Sequence, residues 1–261
     1  MNRSWRFLLA VALAVPTLAA FPQCALAQIK VMTSGGFAAP LREILPEFQK
    51  STGISVELAL GKSQGSSPDT ISAQLGRGIQ ADVVVLSREG LDDLISEKKV
   101  VAGSGVNLAQ APIGVAVRAG APKPDISTVA AFKNALLQAK AITYPSSTTG
   151  IYMVNKLFPQ LGISKEVAAK SSNLGIVAVA RGDAEIAIQP VSELLHVPGT
   201  DFVGTIPAEI QYISVFSAAM VAGSTNTKAA KQLIAFLTSE KAKSAIRNSG
   251  MDPQFGSGKR N

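Results

Sequence analysis

From Ile29 to Asn248 short apolar runs alternate with amphipathic helical patterns, and that alternation constrains the fold more than any other feature of the chain. Strands are expected at Ile29–Val31, Ser55–Leu60, Asp82–Leu86, Ile113–Arg118, Ala141–Tyr144, Glu185–Gln189, Asp201–Ile206 and Tyr212–Val221. Helical patterns fall near 41–48, 68–76, 90–99, 127–140, 150–161, 173–181, 227–238 and 239–249. A chain that alternates in this way builds mainly parallel sheets covered by helices on both faces, an α/β fold. In such sheets ligands bind beyond the carboxyl ends of the strands, where the connections diverge.

Three strand-to-helix junctions carry the residues an anion needs. In Ile29–Lys50 a strand is broken by Ser34, Gly35 and Gly36, and a helix follows with Leu41, Ile44, Leu45 and Phe48 on one face and Pro40 in its first turn. Free N–H groups and the helix dipole converge at such a turn, so it holds an anion without a charged side chain. Phe37 either covers the ligand there or staples the helix start. The second junction, Gly61–Thr70, reads GKSQGSSPDT. Ser67 is placed to cap the next helix and Pro68 to open it. Ser63 and Ser66 exceed what capping needs, Asp69 should face solvent, and Lys62 is either a counter-charge or solvated. The third, Tyr144–Tyr152, reads YPSSTTGIY, with Thr148 or Thr149 as N-cap and Gly150 giving room.

The chain begins as an exported protein would. Arg3 and Arg6, the apolar run Phe7–Val15 and the small-x-small site Ala25-Leu26-Ala27 make 1–27 a cleavable signal peptide, with Gln28 as the first mature residue. The rival, a lipid anchor on Cys24, is disfavoured by Gln23 before it. Cleavage removes the one Cys and the one Trp, and the formal charge of +7 falls by two to +5. The mature chain then has no disulfide, thiol nucleophile or cysteine metal site. Its basic excess suits a small anionic ligand, without a Lys/Arg run dense enough for nucleic acid.

Catalytic signatures are sparse. The one histidine, His196, lacks metal partners. Arg181-Gly182-Asp183 reads as a helix stop with Gly182 at its C-cap. Asp92 and Asp93 read as a helix first turn, and Arg77 and Arg118 as solvated ends of elements. The expectation is a protein that is not an enzyme and needs no cofactor. A periplasmic sensor or adaptor, and more remotely a hydrolase, are the alternatives.

Taken together, LPEFQKSTGISVEL at 45–58, the serine loop at 61–67, ISAQLGRGIQADVVVLS at 71–87, LDDLISEKKVV at 91–101, TTGIYMVNKLFPQLGI at 148–163, VARGDAEIAIQPVSEL at 179–194 and TKAAKQLIAFLTSEKAKSAIRNSGMDP at 227–253 resemble the molybdate-type periplasmic binding proteins of ABC importers. The resemblance implies a two-lobed type II binding fold and a monomer that delivers its ligand to an ABC permease in the inner membrane. It divides the chain into lobe I (28–114 plus 211–255), lobe II (115–210) and a disordered tail (256–261), with hinges near 113–118 and 210–215. Its ligand turns fall on Ser34, Gly35, Gly36 and Phe37; on Ser63, Ser66 and Ser67; on Thr148, Thr149 and Gly150; and on a last segment from Gln189 to Ser192. The sequence departs from the pattern at Gly36, where the family has a serine, and at Pro190, where it has a tyrosine. Two hydroxyls of a tetrahedral-oxyanion site are thus missing, and a small organic acid becomes an alternative ligand. Replacing Gly36 by a β-branched residue should then weaken binding without unfolding the chain.

Overall fold

A computed structural model describes residues 28–255; the expected signal peptide and the tail at 256–261 lie outside the described residues. The order is β1 (Gln28–Ser34), α1 (Gly35–Thr52), β2 (Ser55–Gly61), α2 (Ile71–Gly76), β3 (Val83–Ser87), α3 (Arg88–Ser96) and β4 (Val106–Arg118). Then come α4 (Val129–Gln138), β5 (Ile142–Thr143), α5 (Thr148–Tyr152), a π-helical turn (Met153–Leu157), α6 (Phe158–Leu161), α7 (Ser164–Ala168), β6 (Ser171–Ser172) and α8 (Ile176–Arg181). The chain ends with β7 (Ile186–Pro190), α9 (Val191–Leu194), β8 (Thr200–Thr205), β9 (Ile213–Met220), α10 (Thr227–Leu237), α11 (Glu240–Asn248) and β10 (Asp252–Pro253).

The strands run in the order β2-β1-β3-β9-β4-β7-β5-β6. β1, β2 and β3 pair in parallel, and so do β5, β6 and β7. The mainly parallel expectation fails at β4 and β9, which run antiparallel to each other and to their other neighbours. They carry the chain from one lobe to the other and back, so they must point in opposite directions. β4 pairs with β9 through Pro112 and with β7 from Ile113 onward. The sequence reading caught only its second half, because Asn107, Gln110 and Pro112 interrupt the apolar run. At the crossing the Gln211 amide ties both passages together: Ile113 N donates to its Oε1 (2.7 Å), and its Nε2 donates to Ile113 O (3.1 Å) and Ile206 O (3.2 Å).

Each lobe has its own core. In the first, Phe37, Leu41, Ile44, Leu45 and Phe48 place one face of α1 on β1, β3 and β9, and α10 and α11 close over it. The opposite face of that sheet is covered by α2 and α3 through Ile71, Leu91 and Leu94. Burying each of these large side chains contributes about 1.5–3 kcal/mol. α1 ends at Gly53, left-handed at φ 71°, whose N–H bonds Gln49 O. In the second lobe Phe132, Leu136, Met153, Leu157 and Phe158 pack on Ile142, Ile186 and Ile188.

All three junctions differ from their sequence readings. α1 starts at Gly35, directly after β1, so Pro40 lies in its second turn rather than its first. In the second junction Thr70, not Ser67, is the N-cap, accepting from Ala73 N at 3.2 Å. Its hydroxyl stands one residue before the helix, whereas Ser67 is used by Asp69. The third N-cap position is Ser147 rather than Thr148 or Thr149.

Candidate functional site

The carboxyl ends of β1, β2 and β7 and the segments after β5 and β6 converge on one cleft between the lobes, of about 320 Å³. That is within the ~300–1,000 Å³ usual for small-molecule sites. Ser34, Gly35 and Gly36 enter it from β1 and α1, Lys62 and Ser63 from the β2 turn, Thr148 and Thr149 from the third turn, and Gln189 and Glu193 from β7 and α9. A second hollow, about 450 Å³, opens at the amino ends of β1 and β3 around Lys30, Asp82 and Asn226. It lies at the wrong end of the strands for a type of sheet that binds ligands at the carboxyl ends, and Asp82 there is already used by Lys30 N, Ser224 and Asn226.

Of the eleven residues singled out from the sequence, seven line this cleft: Ser34, Gly35, Gly36, Ser63, Thr148, Thr149 and Gln189. Four do not. Phe37 is fully buried in the lobe I core against Phe216, ring centroids 6.1 Å apart, so it staples the helix and does not cover a ligand. Ser66 and Ser67 lie on the outer side of their loop, where Ser67 bonds Asp69. Gly150 is inside α5, pressed against the Pro145 carbonyl. The serine loop was read as one unit, but its chain turns over between Ser63 and Ser66, and only the first hydroxyl stays inside. Asp69 was expected to face solvent alone; it also borders the cleft and pairs with Lys62 at 3.3 Å. The Ser67 hydroxyl, then Lys62, hold its carboxyl below the usual range. Gly36 has its own correction. A Cβ there would stand 2.1 Å from Phe216 Cζ, so a β-branched side chain would disturb the core as well as the cleft.

The site is short of partners in a telling way. Ser34 precedes α1 but its hydroxyl makes no capping bond, and its Oγ is buried without a partner. No acidic residue occupies the first turn of this 18-residue helix. Gln189 Oε1 is likewise buried and unpaired. An unsatisfied buried polar atom costs about 1–3 kcal/mol, and two such atoms bordering one cleft are explained if a polar ligand completes them.

Glu193 is the residue the sequence reading passed over, stopping at Ser192. It is half-buried, bordering both the cleft and the hollow behind it, between α1, α9 and α11. Burial pushes its carboxyl up to about 7, against the opposing hydrogen bond from Gln189 Nε2 at 2.6 Å. Gly35 makes the space: a Cβ at that position would meet Glu193 Oε2 at 3.2 Å. The signal was an acid four residues after a glutamine, just past a buried strand, in QPVSE. Among the described residues no three His, Cys, Asp or Glu side chains gather in a metal-binding arrangement.

Beside the cleft the lobes touch directly. Ser87 Oγ and Thr148 Oγ1 share a hydrogen bond of 2.8 Å, Thr148 Oγ1 donates to Gln64 Oε1 at 3.1 Å, and Gln64 N donates to Ser147 Oγ at 3.3 Å. Thr148→Val keeps the shape and removes two of these bonds. At about 1 kcal/mol net each, the open form should gain population, and ligand affinity should fall about tenfold or somewhat more. A binding isotherm alongside the radius of gyration of the ligand-free protein checks this; an unchanged pair of values would mean the clasp does not hold the lobes.

Comparison with known proteins agrees with the architecture. Residues 29–252 match the family model for bacterial extracellular solute-binding protein. The structure is similar to the Azotobacter vinelandii periplasmic molybdate-binding protein (19% identity, TM-score 0.69, covering 85% of this chain and 98% of that one). It is also similar to the substrate-binding domain of a putative molybdenum ABC transporter from Clostridium difficile (16%, TM-score 0.62, 87% and 98%). A curated relative from Pseudomonas sp., 39% identical over 242 residues and 91% of each chain, is named aconitate isomerase. That relative is an enzyme, and it overturns the expectation that this chain is not one. The expectation looked only for nucleophiles, histidines and metal ligands. With its two-lobed fold, its cleft at the strand ends and a family match over nearly all the described residues, the chain belongs to the bacterial extracellular solute-binding proteins.

Proposed function

We propose that this protein binds a small unsaturated polycarboxylate of the aconitate type in the interlobe cleft and isomerises it by proton transfer through Glu193. The observation that carries the reading is Glu193 itself, a half-buried carboxyl that borders the cleft and is poised near pH 7. The relative named aconitate isomerase supports the same reading.

In aconitate a methylene lies between a carboxylate and a carbon–carbon double bond that bears further carboxylates. The Glu193 carboxylate takes one methylene proton; the C–H bond breaks, an O–H bond forms, and the electron pair spreads over the allylic system and its carboxylates. Return of the proton to the far allylic carbon shifts the double bond. Both end carbons carry a carboxylate, so the product has the same connectivity and can differ in double-bond geometry. No electrons are gained or lost. The free N–H groups of α1, the Ser34 and Thr149 hydroxyls and Lys62 hold the carboxylates and the charge that develops on them. Closure of the lobes excludes water from the carbanion.

The test is incubation of the purified protein with trans-aconitate, followed by proton NMR. Formation of the cis isomer is expected; no interconversion, with thermal stabilisation by molybdate or sulfate alone, would overturn the reading in favour of simple capture for an importer. Because the base must be ionised, kcat/KM should rise with pH and level off above about pH 7. A profile flat across that range would remove Glu193 as the base.

A further inference from the structure

The proton-transfer reading leaves one atom unexplained. Gln189 is 4% exposed and borders the cleft, its Nε2 donates to Glu193 Oε2 at 2.6 Å, and its Oε1 is buried without a partner. No protein donor is aimed at that oxygen. A primary amide offers a donor end and an acceptor end of nearly the same shape, and which end faces which neighbour is set by the hydrogen-bond network. Glu193, as a base, alternates between a carboxylate that only accepts and an acid that donates. Nε2 can donate to an unprotonated oxygen in either state, but only the Oε1 end of the amide can accept the new O–H.

Resting on that reading, we propose that Gln189 is a positioning residue whose amide turns over with the proton on Glu193. With Glu193 ionised, Nε2 donates to it and Oε1 is left toward the ligand. With Glu193 protonated, Oε1 accepts the new O–H and Nε2 is presented to the ligand instead. The ligand therefore gains a donor at the stage when it has given up its proton and carries the extra negative charge. The turn moves no covalent bond; the proton stays on Glu193 until it returns to carbon. The two side chains are four residues apart, Gln189 next to last in strand β7 and Glu193 in α9, so their separation is set by the strand-to-helix junction. Gly35 on the far side leaves the carboxyl free of a side chain there.

The turn is read directly in the ligand-free protein from the Gln189 side-chain ¹⁵N and amide-proton resonances, followed from about pH 5 to about pH 9 around the Glu193 midpoint near 7. The expected result is a change in both amide-proton shifts at the same midpoint as the Glu193 carboxyl carbon, and no change in Glu193→Gln. Resonances that ignore the Glu193 midpoint would overturn the proposal. Gln189→Met keeps the volume and removes both amide ends. In that variant the Glu193 midpoint should move up, since the opposing hydrogen bond is gone, and kcat should fall by roughly tenfold to a hundredfold with a smaller change in KM. A variant with an unmoved midpoint, or a loss confined to KM, would reduce Gln189 to a ligand contact. If the parent protein does not turn over aconitate, the isomerase reading falls, while the amide resonances still decide whether Gln189 follows the proton.

Discussion

Glu193→Gln is expected to remove isomerase activity by about 10²–10⁴-fold, the range general acid–base groups supply, and at the same time to make the protein more stable at alkaline pH. The two effects share one cause. Glu193 titrates at about 7 in the folded chain against an ordinary value of 4.5. The folded state therefore holds the proton more tightly than the unfolded one, and stability falls as pH rises from about 4.5 through 7. Above pH 7 the buried charge costs up to about 3 kcal/mol. Glutamine has the same shape and never ionises, so the variant escapes that cost. Its melting temperature should exceed the parent's by several degrees at pH 8, about 2–4 °C for each kcal/mol, and match the parent's near pH 4. Kinetic and thermal measurements at the two pH values check both halves. Retained turnover would exclude proton transfer by Glu193. A stability difference that does not change with pH would mean the carboxyl is solvated as an ordinary surface acid.

On the proposed function, that opposition between stability and activity would account for how a binding fold hosts such chemistry with so little machinery. The lobes, the helix N-terminus and the hydroxyls are what any anion-binding cleft of this architecture needs. Only one further group, the half-buried carboxyl beside Gly35, would be needed to move a proton. Removing a proton next to a carboxylate requires a base of raised basicity and donors for the charge left behind. The cleft borders supply both without a nucleophile or a triad.

Most of the scaffold was legible because period and position agree. The apolar face of α1 at Leu41, Ile44, Leu45 and Phe48 and the buried run of β3 have no other reading once they alternate along the chain. The helix-end at Gly182 was equally plain, with φ 87°. What could not be read were features set by contacts distant in sequence. β4 is one strand of 13 residues only because β9 and β7 pair with its two halves. Phe37 and Ser34 are three residues apart, yet one enters the core and one the cleft, because α1 begins without a loop. Glu193 carries no local mark in QPVSE. Its character comes from α1 of the other lobe closing over it, and no local pattern records that.

Gly150 gives the second large effect, and its sign separates a local from a tertiary account. By helix propensity alone Gly150→Ala within α5 should stabilise the chain, by about 0.5–1 kcal/mol. The structure predicts the reverse. A Cβ at position 150 would stand 1.7 Å from the Pro145 carbonyl oxygen and 2.9 Å from its carbon. That oxygen belongs to backbone and cannot rotate aside as a side chain would, so the segment Pro145–Thr149 must shift. Overpacking of this kind costs about 1–3 kcal/mol and sometimes more; with a main-chain obstacle we expect the upper end, about 3 kcal/mol, and a melting temperature lower by about 6–12 °C. The same shift displaces Thr148 and Thr149 in the cleft wall and the clasp to Ser87 and Gln64. Ligand affinity should fall together with stability, which calorimetry and a binding isotherm on one preparation would register. A variant that melts at or above the parent's temperature would mean that the Pro145 carbonyl has room to move, and that the close approach at Gly150 does not fix the cleft wall.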